Sequence, residues 1–108
     1  MSQNLQIKRL LEEIQENSHK KIVFYTLDGC PACNELKEKS EKIGLVWESV
    51  EMNGNEVMWK KLEDMGGSEY VPQVQVEDYL IKENEYEDVN ELISKTLSKL
   101  LERRIIIK

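Results

Sequence analysis

Short apolar or alternating segments typical of β-strands are interspersed along the chain with segments whose apolar residues recur about every 3.6 residues, as in α-helices. The strand patterns cover residues 22–26, 45–50, 71–76 and 79–81, and the helix patterns cover residues 5–17, 31–43, 56–65 and 89–101. Strands that are separated by helices imply parallel crossover connections, whereas the last two strands are close enough to form an antiparallel hairpin. The pattern therefore predicts an α/β fold in which a four-stranded mixed sheet is flanked by helices, with an extra helix at the N-terminus.

Residues at the helix boundaries sharpen this prediction. Asn55 precedes the third helix pattern and Asp88 precedes the last one, and side chains of this type cap helices by accepting backbone hydrogen bonds. Core spacing in the third helix pattern predicts four inward-facing residues, Val57, Met58, Leu62 and Met65. Trp59 is expected to pack beside them rather than to bind a ligand.

Length and charge limit the class of protein. A chain of 108 residues is predicted to form one domain with its own core. Its 21 acidic and 15 basic residues give a formal net charge of −6, which argues against nucleic acid or an anionic membrane surface as a partner. The N-terminus lacks the pattern of a secretory signal, and no apolar run approaches the roughly 20 residues of a membrane span. We therefore expect a cytoplasmic protein, and a monomer.

The two cysteines, Cys30 and Cys33, lie directly after the first strand pattern, where a helix begins. Because the cytoplasm keeps thiols reduced, a close pair there is more often catalytic or metal-binding than a structural disulfide. A zinc site needs two more soft ligands, and the single histidine, His19, lies in a polar stretch, so we predict no metal site. The free N–H groups of a helix start stabilise a thiolate, which makes Cys30 the predicted nucleophile. Cys33 is predicted to lie one turn deeper and to resolve a mixed disulfide, and Pro31 to fix the first helical turn.

Two segments resemble the glutaredoxin family of the thioredoxin superfamily. Residues 24–33, which end in Cys-Pro-Ala-Cys, resemble the active-site segment of dithiol glutaredoxins, and residues 70–74 (Tyr-Val-Pro-Gln-Val) are similar to the Thr-Val-Pro segment of that family. The resemblance implies a thioredoxin fold in a single domain, with a helical extension at residues 1–19, a glutaredoxin-like core at residues 21–100 and a tail at residues 101–108.

The same resemblance implies roles for individual residues. The Val71–Pro72 bond is expected to be cis, to face the cysteines and to hold the substrate, while Tyr25 supports the site and Asp88 binds the γ-glutamyl amine of glutathione. The implied activity is reduction of protein or glutathione mixed disulfides through the cysteine pair. Glutathione is the expected reductant, a disulfide-bearing protein such as a reductase is the expected partner, and no bound cofactor is expected.

Three departures from the family pattern leave alternatives open. Family members usually carry Lys or Arg where Leu27 stands, Tyr where Ala32 stands, and Gly-Gly before the last helix, where residues 83–88 form an acidic stretch without glycine. The first and third departures favour a thioredoxin-like electron donor that is recharged by a flavoprotein reductase. A further alternative is a binding module, such as an iron–sulfur carrier, whose cysteines do not turn over.

Overall fold

The computed structural model describes residues 22–107, with side chains through Glu102, and these residues form a four-stranded sheet with three α-helices. The elements are β1 (Ile22–Thr26), α1 (Pro31–Lys42), β2 (Glu48–Glu51), α2 (Glu56–Asp64), β3 (Gln73–Val76), β4 (Tyr79–Ile81) and α3 (Val89–Ile107), with a short 3-10 helix (Glu83–Glu85) before α3. The strands lie side by side in the order β2-β1-β3-β4. The predicted α/β class and thioredoxin fold are confirmed, and the predicted N-terminal helix lies outside the described residues.

The directions of the strands correct one prediction. β1 pairs with β2 in parallel, but β3 runs antiparallel to β1, so the prediction of a parallel crossover through α2 is wrong. The register gives the reason: the end of β2 lies beside Thr26, and the start of β3 lies beside Tyr25. The chain therefore leaves β2 and enters β3 at the same end of the strands. α1 also begins at this end, after β1.

The helix ends are fixed by the predicted caps. Asn55 accepts a hydrogen bond of 3.3 Å from the Met58 N–H at the start of α2, and Asp88 accepts one of 2.8 Å from the Glu91 N–H at the start of α3. Each cap of this kind stabilises a helix by about 1 kcal/mol. Gly66, with a φ of +84°, ends the α2 segment in the left-handed conformation that glycine adopts without strain.

Apolar side chains form two clusters, one on each face of the sheet. The first cluster lies between the sheet and helices α1 and α3, and its buried members are Ile22, Phe24, Leu36, Leu45, Val74, Val76, Ile81, Val89, Leu92 and Leu100. The second cluster lies under α2, and its buried members are Tyr25, Met52, Leu62 and Leu80. Helices therefore cover both faces, as predicted, and each fully buried large apolar side chain contributes about 1.5–3 kcal/mol.

Two predicted inward positions and one predicted strand boundary are wrong. Val57 is 78% exposed, because α2 faces the sheet with Met58 and Leu62, and Val57 lies about 100° around the helix axis from Met58. The helix pattern at residues 89–101 places Leu101 on the apolar face with Leu92 and Leu100, but Leu101 is exposed. β2 begins at Glu48 rather than at residue 45, and buried Leu45 joins the first cluster from the preceding loop without strand pairing.

Candidate active site

Cys30 occupies the N-cap position of α1. Its backbone is extended, Pro31 forms the first helical residue, and its Sγ accepts a hydrogen bond of 3.2 Å from the Cys33 N–H. The positive end of the helix macrodipole thus faces this sulfur, together with an N–H donor that the helix itself does not use. Cys30 is half-buried and both cysteines are free thiols, so Cys30 is the sulfur that a substrate can reach.

Cys33 lies one turn further along α1 and is fully buried. Burial, with the hydrogen bond and the charge of Cys30 acting in the same direction, raises the pKa of its thiol to about 12. A backbone hydrogen bond with Leu27 and the positive charge of Lys37 act in the opposite direction but do not offset the burial. The predicted difference in depth between the two sulfurs is confirmed, and Cys33 is a neutral thiol near pH 7.

The Val71–Pro72 segment lies beside the cysteine loop, and its peptide bond is cis, as the resemblance implies. The β1–β3 pairing ends at Tyr25 and Gln73, and Leu27 and Val71 each lie two residues beyond this last pair. Val71 and Leu27 pack against the same second cluster, and the Leu27 carbonyl accepts a hydrogen bond of 3.2 Å from the Cys30 N–H. Because β3 runs antiparallel to β1, the Val71–Pro72 segment before β3 and the cysteine segment after β1 lie at the same end of the strands.

Tyr86, which the sequence analysis does not select, connects this segment to the loop before α3. Its hydroxyl donates a hydrogen bond of 2.6 Å to the Pro72 carbonyl oxygen. Burial, with smaller electrostatic contributions from Cys33, Cys30 and Glu83, raises the pKa of Tyr86 to about 12. The sequence signal was a single aromatic residue within an otherwise polar, acidic stretch at residues 83–88.

Gln73, the residue after Pro72, is a second functional candidate that sequence reasoning missed. It is fully buried, and its amide donates hydrogen bonds of 2.9 Å to the Ser68 carbonyl and 2.7 Å to the Tyr70 carbonyl. Its Oε1 atom accepts a longer hydrogen bond of 3.4 Å from the Ser68 N–H. A strand covered on both faces is normally apolar throughout, so a glutamine at this position was the available signal.

Tyr25 and Asp88, the remaining predicted residues, make their described contacts with other parts of the fold. Tyr25 is buried in the second cluster with its hydroxyl on the Gln75 side chain, so it links β1 to β3. Asp88 is exposed, and its carboxylate caps α3. Both are placed by contacts that stabilise the fold.

Two other kinds of feature are absent from the described residues. Within residues 22–107, no group of three or more His, Cys, Asp and Glu side chains is arranged to hold a metal ion. No helix in the same part of the chain is long and apolar enough to cross a membrane.

An accessible thiol and a buried thiol at a helix start, next to a cis-proline segment on a thioredoxin fold, are typical of thiol-redox domains. The family model described as Glutaredoxin matches residues 22–81, which is more than half of the 108 residues and includes both cysteines and the Val71–Pro72 segment. The chain therefore belongs to the glutaredoxin family, and its general function is thiol redox chemistry. No curated protein matches the chain.

Proposed function

We propose that this protein is a dithiol disulfide oxidoreductase, which reduces disulfides of proteins and mixed disulfides of glutathione through Cys30 and Cys33. The observation that carries the proposal is the pairing of an accessible sulfur with a buried one at the start of α1, joined by the hydrogen bond from the Cys33 N–H to Cys30 Sγ. The two sulfurs differ in access and in environment, and this difference suits two successive steps of disulfide exchange.

In the first step, Cys30 Sγ attacks as a thiolate on one sulfur of the substrate disulfide. The substrate S–S bond breaks, a mixed disulfide forms between Cys30 and the substrate, and the other substrate sulfur leaves as a thiolate and takes a proton from solvent. The accessible position of Cys30 at the positive end of α1 supports this role.

In the second step, Cys33 loses its proton and attacks Cys30 Sγ. The mixed disulfide breaks, the substrate leaves as a thiolate that takes up a proton, and a Cys30–Cys33 disulfide remains, so that two electrons have passed to the substrate. Before the first step, the charge and hydrogen bond of Cys30 help to keep the pKa of Cys33 high. Both contributions end when Cys30 enters the mixed disulfide, so the pKa of Cys33 falls at the stage where its thiolate is needed.

The backbone of Val71 is the proposed binding site for the substrate chain. Val71 lies just before β3, and among residues 22–107 neither its N–H nor its C=O has a hydrogen-bond partner. The neighbouring Pro72 carbonyl, by contrast, is already bonded to Tyr86. A substrate peptide can therefore pair with Val71 as an added strand while its sulfur reaches Cys30.

Glutathione is the proposed reductant of the Cys30–Cys33 disulfide, in keeping with the family. A second candidate is a flavoprotein reductase, and two observations favour it. Leu27 is half-buried in the second cluster, at a position where family members usually carry a cation for a glutathione carboxylate. Asp88, the proposed ligand of the γ-glutamyl amine, already accepts the Glu91 N–H and lies at the end of the acidic stretch 83–88.

The test is a coupled disulfide-reduction assay run in parallel with glutathione plus its reductase and with a thioredoxin reductase. Turnover in the first system supports the glutathione proposal, and turnover only in the second assigns the flavoprotein route. Cys30→Ser is expected to abolish turnover in both. Cys33→Ser is expected to accumulate a covalent mixed disulfide with a protein substrate, visible by non-reducing electrophoresis and intact mass, and full turnover by this variant would refute the dithiol mechanism.

A further inference from the structure

A cavity of about 600 Å³ lies between α2 and the loop that follows it, outside the cysteine site. Its lining residues are Trp59, Glu63, Gly67, Ser68 and Glu69. The volume falls within the range of about 300–1,000 Å³ that ligand sites occupy. The proposed disulfide chemistry does not require this cavity.

The wall of the cavity is built by the buried amide of Gln73. That amide holds the Ser68 backbone through both its oxygen and its nitrogen, and it also holds the Tyr70 carbonyl. Gly67 allows the close packing behind the wall, since a Cβ atom there would lie 2.7 Å from Gln73 Oε1 and 2.9 Å from the Leu62 carbonyl oxygen. The loop is therefore fixed before any ligand binds, which lowers the entropy cost of binding.

The cavity lies close along the chain to the proposed substrate-binding segment. Glu69 precedes Val71 by two residues, so their Cα atoms are at most about 7.6 Å apart. Trp59 and Val71 also pack against the same second cluster. An extended peptide advances about 3.3 Å per residue. A substrate chain that pairs with Val71 therefore brings to the cavity a side chain that lies about two residues away from its reactive cysteine.

The chemistry of the lining favours a cation. The carboxylates of Glu63 and Glu69 make no hydrogen bond or ion pair with another described residue, and the indole of Trp59 lines the same cavity. The amine of Lys82 lies near Gly66, on the adjoining turn, and is not part of the lining. A guanidinium or ammonium group binds both to carboxylates and to an aromatic face, whereas the carboxylates of glutathione would be repelled.

We propose that this cavity binds an arginine or lysine side chain of a protein substrate, about two residues from the cysteine that Cys30 attacks. The proposal rests on the proposed disulfide chemistry and adds the substrate class to it: disulfides of proteins that carry a basic residue near the reactive cysteine. The net charge of −6 acts in the same direction, because it draws basic partners toward the protein.

The experiment uses short peptides whose single cysteine is blocked as a mixed disulfide with a chromogenic aryl thiol. Arg, Gln or Glu stands two residues before or after the cysteine, and the pre-reduced full-length protein reacts in a single turnover while release of the aryl thiolate is followed by absorbance. We expect the better Arg peptide to react about tenfold faster than its Gln counterpart at low salt, and the Glu peptide to react more slowly than both. This advantage should shrink as salt is added.

Variants assign the effect to the cavity. The double change Glu63→Gln and Glu69→Gln is expected to remove most of the arginine advantage while leaving the rate with the Gln peptide unchanged. The matched control, Glu38→Gln with Glu41→Gln, removes the same charge from exposed positions on α1 and should retain the advantage. Since every variant meets the same peptides, any intrinsic effect of arginine on the peptide disulfide cancels.

The outcomes separate this inference from the proposed function. Equal rates for the three peptides, or an arginine advantage that survives in the Glu63/Glu69 variant, overturn the cavity proposal even though Cys30 still reacts. Equal loss of the advantage in both double variants assigns it to overall charge and overturns the proposal as well. If Cys30→Ser releases the aryl thiolate as fast as the unaltered protein, the disulfide chemistry itself is refuted.

Discussion

The hydroxyl group of Tyr86 donates a hydrogen bond of 2.6 Å to the carbonyl oxygen of Pro72, and so joins the loop before α3 to the cis-proline segment. With a pKa raised to about 12, this hydroxyl keeps its proton throughout the neutral range and stays a donor. The bond therefore ties the Val71–Pro72 segment to the loop at residues 83–88, and we expect this loop to affect substrate binding through it.

Tyr86→Phe tests this positioning role, because it keeps the ring and removes only the donor. We expect a stability loss of about 1 kcal/mol in urea unfolding and a several-fold rise in KM for a protein disulfide with a smaller change in kcat. Tyr79→Phe is the matched control, since it removes a hydroxyl that bonds to Glu85 with an O–O distance of 2.7 Å. Identical kinetics for the two variants would show that the Tyr86 hydroxyl is only structural.

Changes at Gln73 test whether its amide holds the loop at residues 68–70. Gln73→Met keeps the approximate volume and removes all three hydrogen bonds, so we expect a loss of about 1–3 kcal/mol and faster amide hydrogen exchange in the loop. Gln73→Glu places a carboxylate in a fully buried position, and it should be more destabilising at pH 7 than at pH 4, where the carboxyl group is protonated. A Gln73→Glu variant whose stability relative to the unaltered protein does not depend on pH would contradict this account.

Two glycines provide a matched comparison of steric and conformational cost. Gly67→Ala places a Cβ atom 2.7 Å from Gln73 Oε1 and 2.8 Å from Leu80 Cδ2, and we expect a loss of about 1–3 kcal/mol from overpacking. Gly54→Ala meets open space but imposes a φ of +69° on alanine, which costs about 1 kcal/mol. Thermal unfolding measures both, and only Gly67→Ala should also weaken the arginine preference of the cavity.

The raised pKa values predict how stability depends on pH. Cys33 and Tyr86 both titrate at about 12 in the folded protein, against ordinary values of 9.0 and 10.0. Between the ordinary and the raised value the unfolded state gives up a proton that the folded state keeps, so rising pH favours unfolding. Their contribution is intact below pH 9 and is lost toward pH 12, and we expect a decline of about 2 kcal/mol by pH 11 after allowance for solvent screening.

Urea unfolding from pH 7 to pH 11 under reducing conditions measures this decline. Cys33→Ser and Tyr86→Phe should each show a shallower decline than the unaltered protein, and the double variant the shallowest. Other lysines and tyrosines titrate in the same range, so the comparison among variants carries the result. Parallel curves for all four proteins would contradict the prediction.

The fold was largely predictable because its signals are local. The strand at residues 22–26, both capped helices and the strand-to-helix position of Cys30 follow from periodicity and from capping chemistry, which short segments determine by themselves. The direction of β3 was not predictable in this way. A helix pattern shows which face of the helix is buried, but it does not show at which end of the strands the chain re-enters the sheet.

The active site was predictable to a smaller extent, and the reason is again physical. Cys30, Cys33 and the Val71–Pro72 segment are visible as motifs. Tyr86 and Gln73 act through hydrogen bonds to backbone carbonyls, and a carbonyl acceptor leaves no trace in the identity of the residue that carries it. Trp59 was expected to pack, which it does against the second cluster, but one sequence cannot show that the space beside it is unfilled.

The buried amide of Gln73 separates the shape of the loop at residues 68–70 from the side chains that the loop presents. Glu69 and Tyr70 are both exposed, Tyr70 by 66%, and neither side chain is needed to hold the backbone in place. The cavity proposal therefore predicts that substitutions at Glu69 alter substrate preference while the redox chemistry and the stability stay nearly constant.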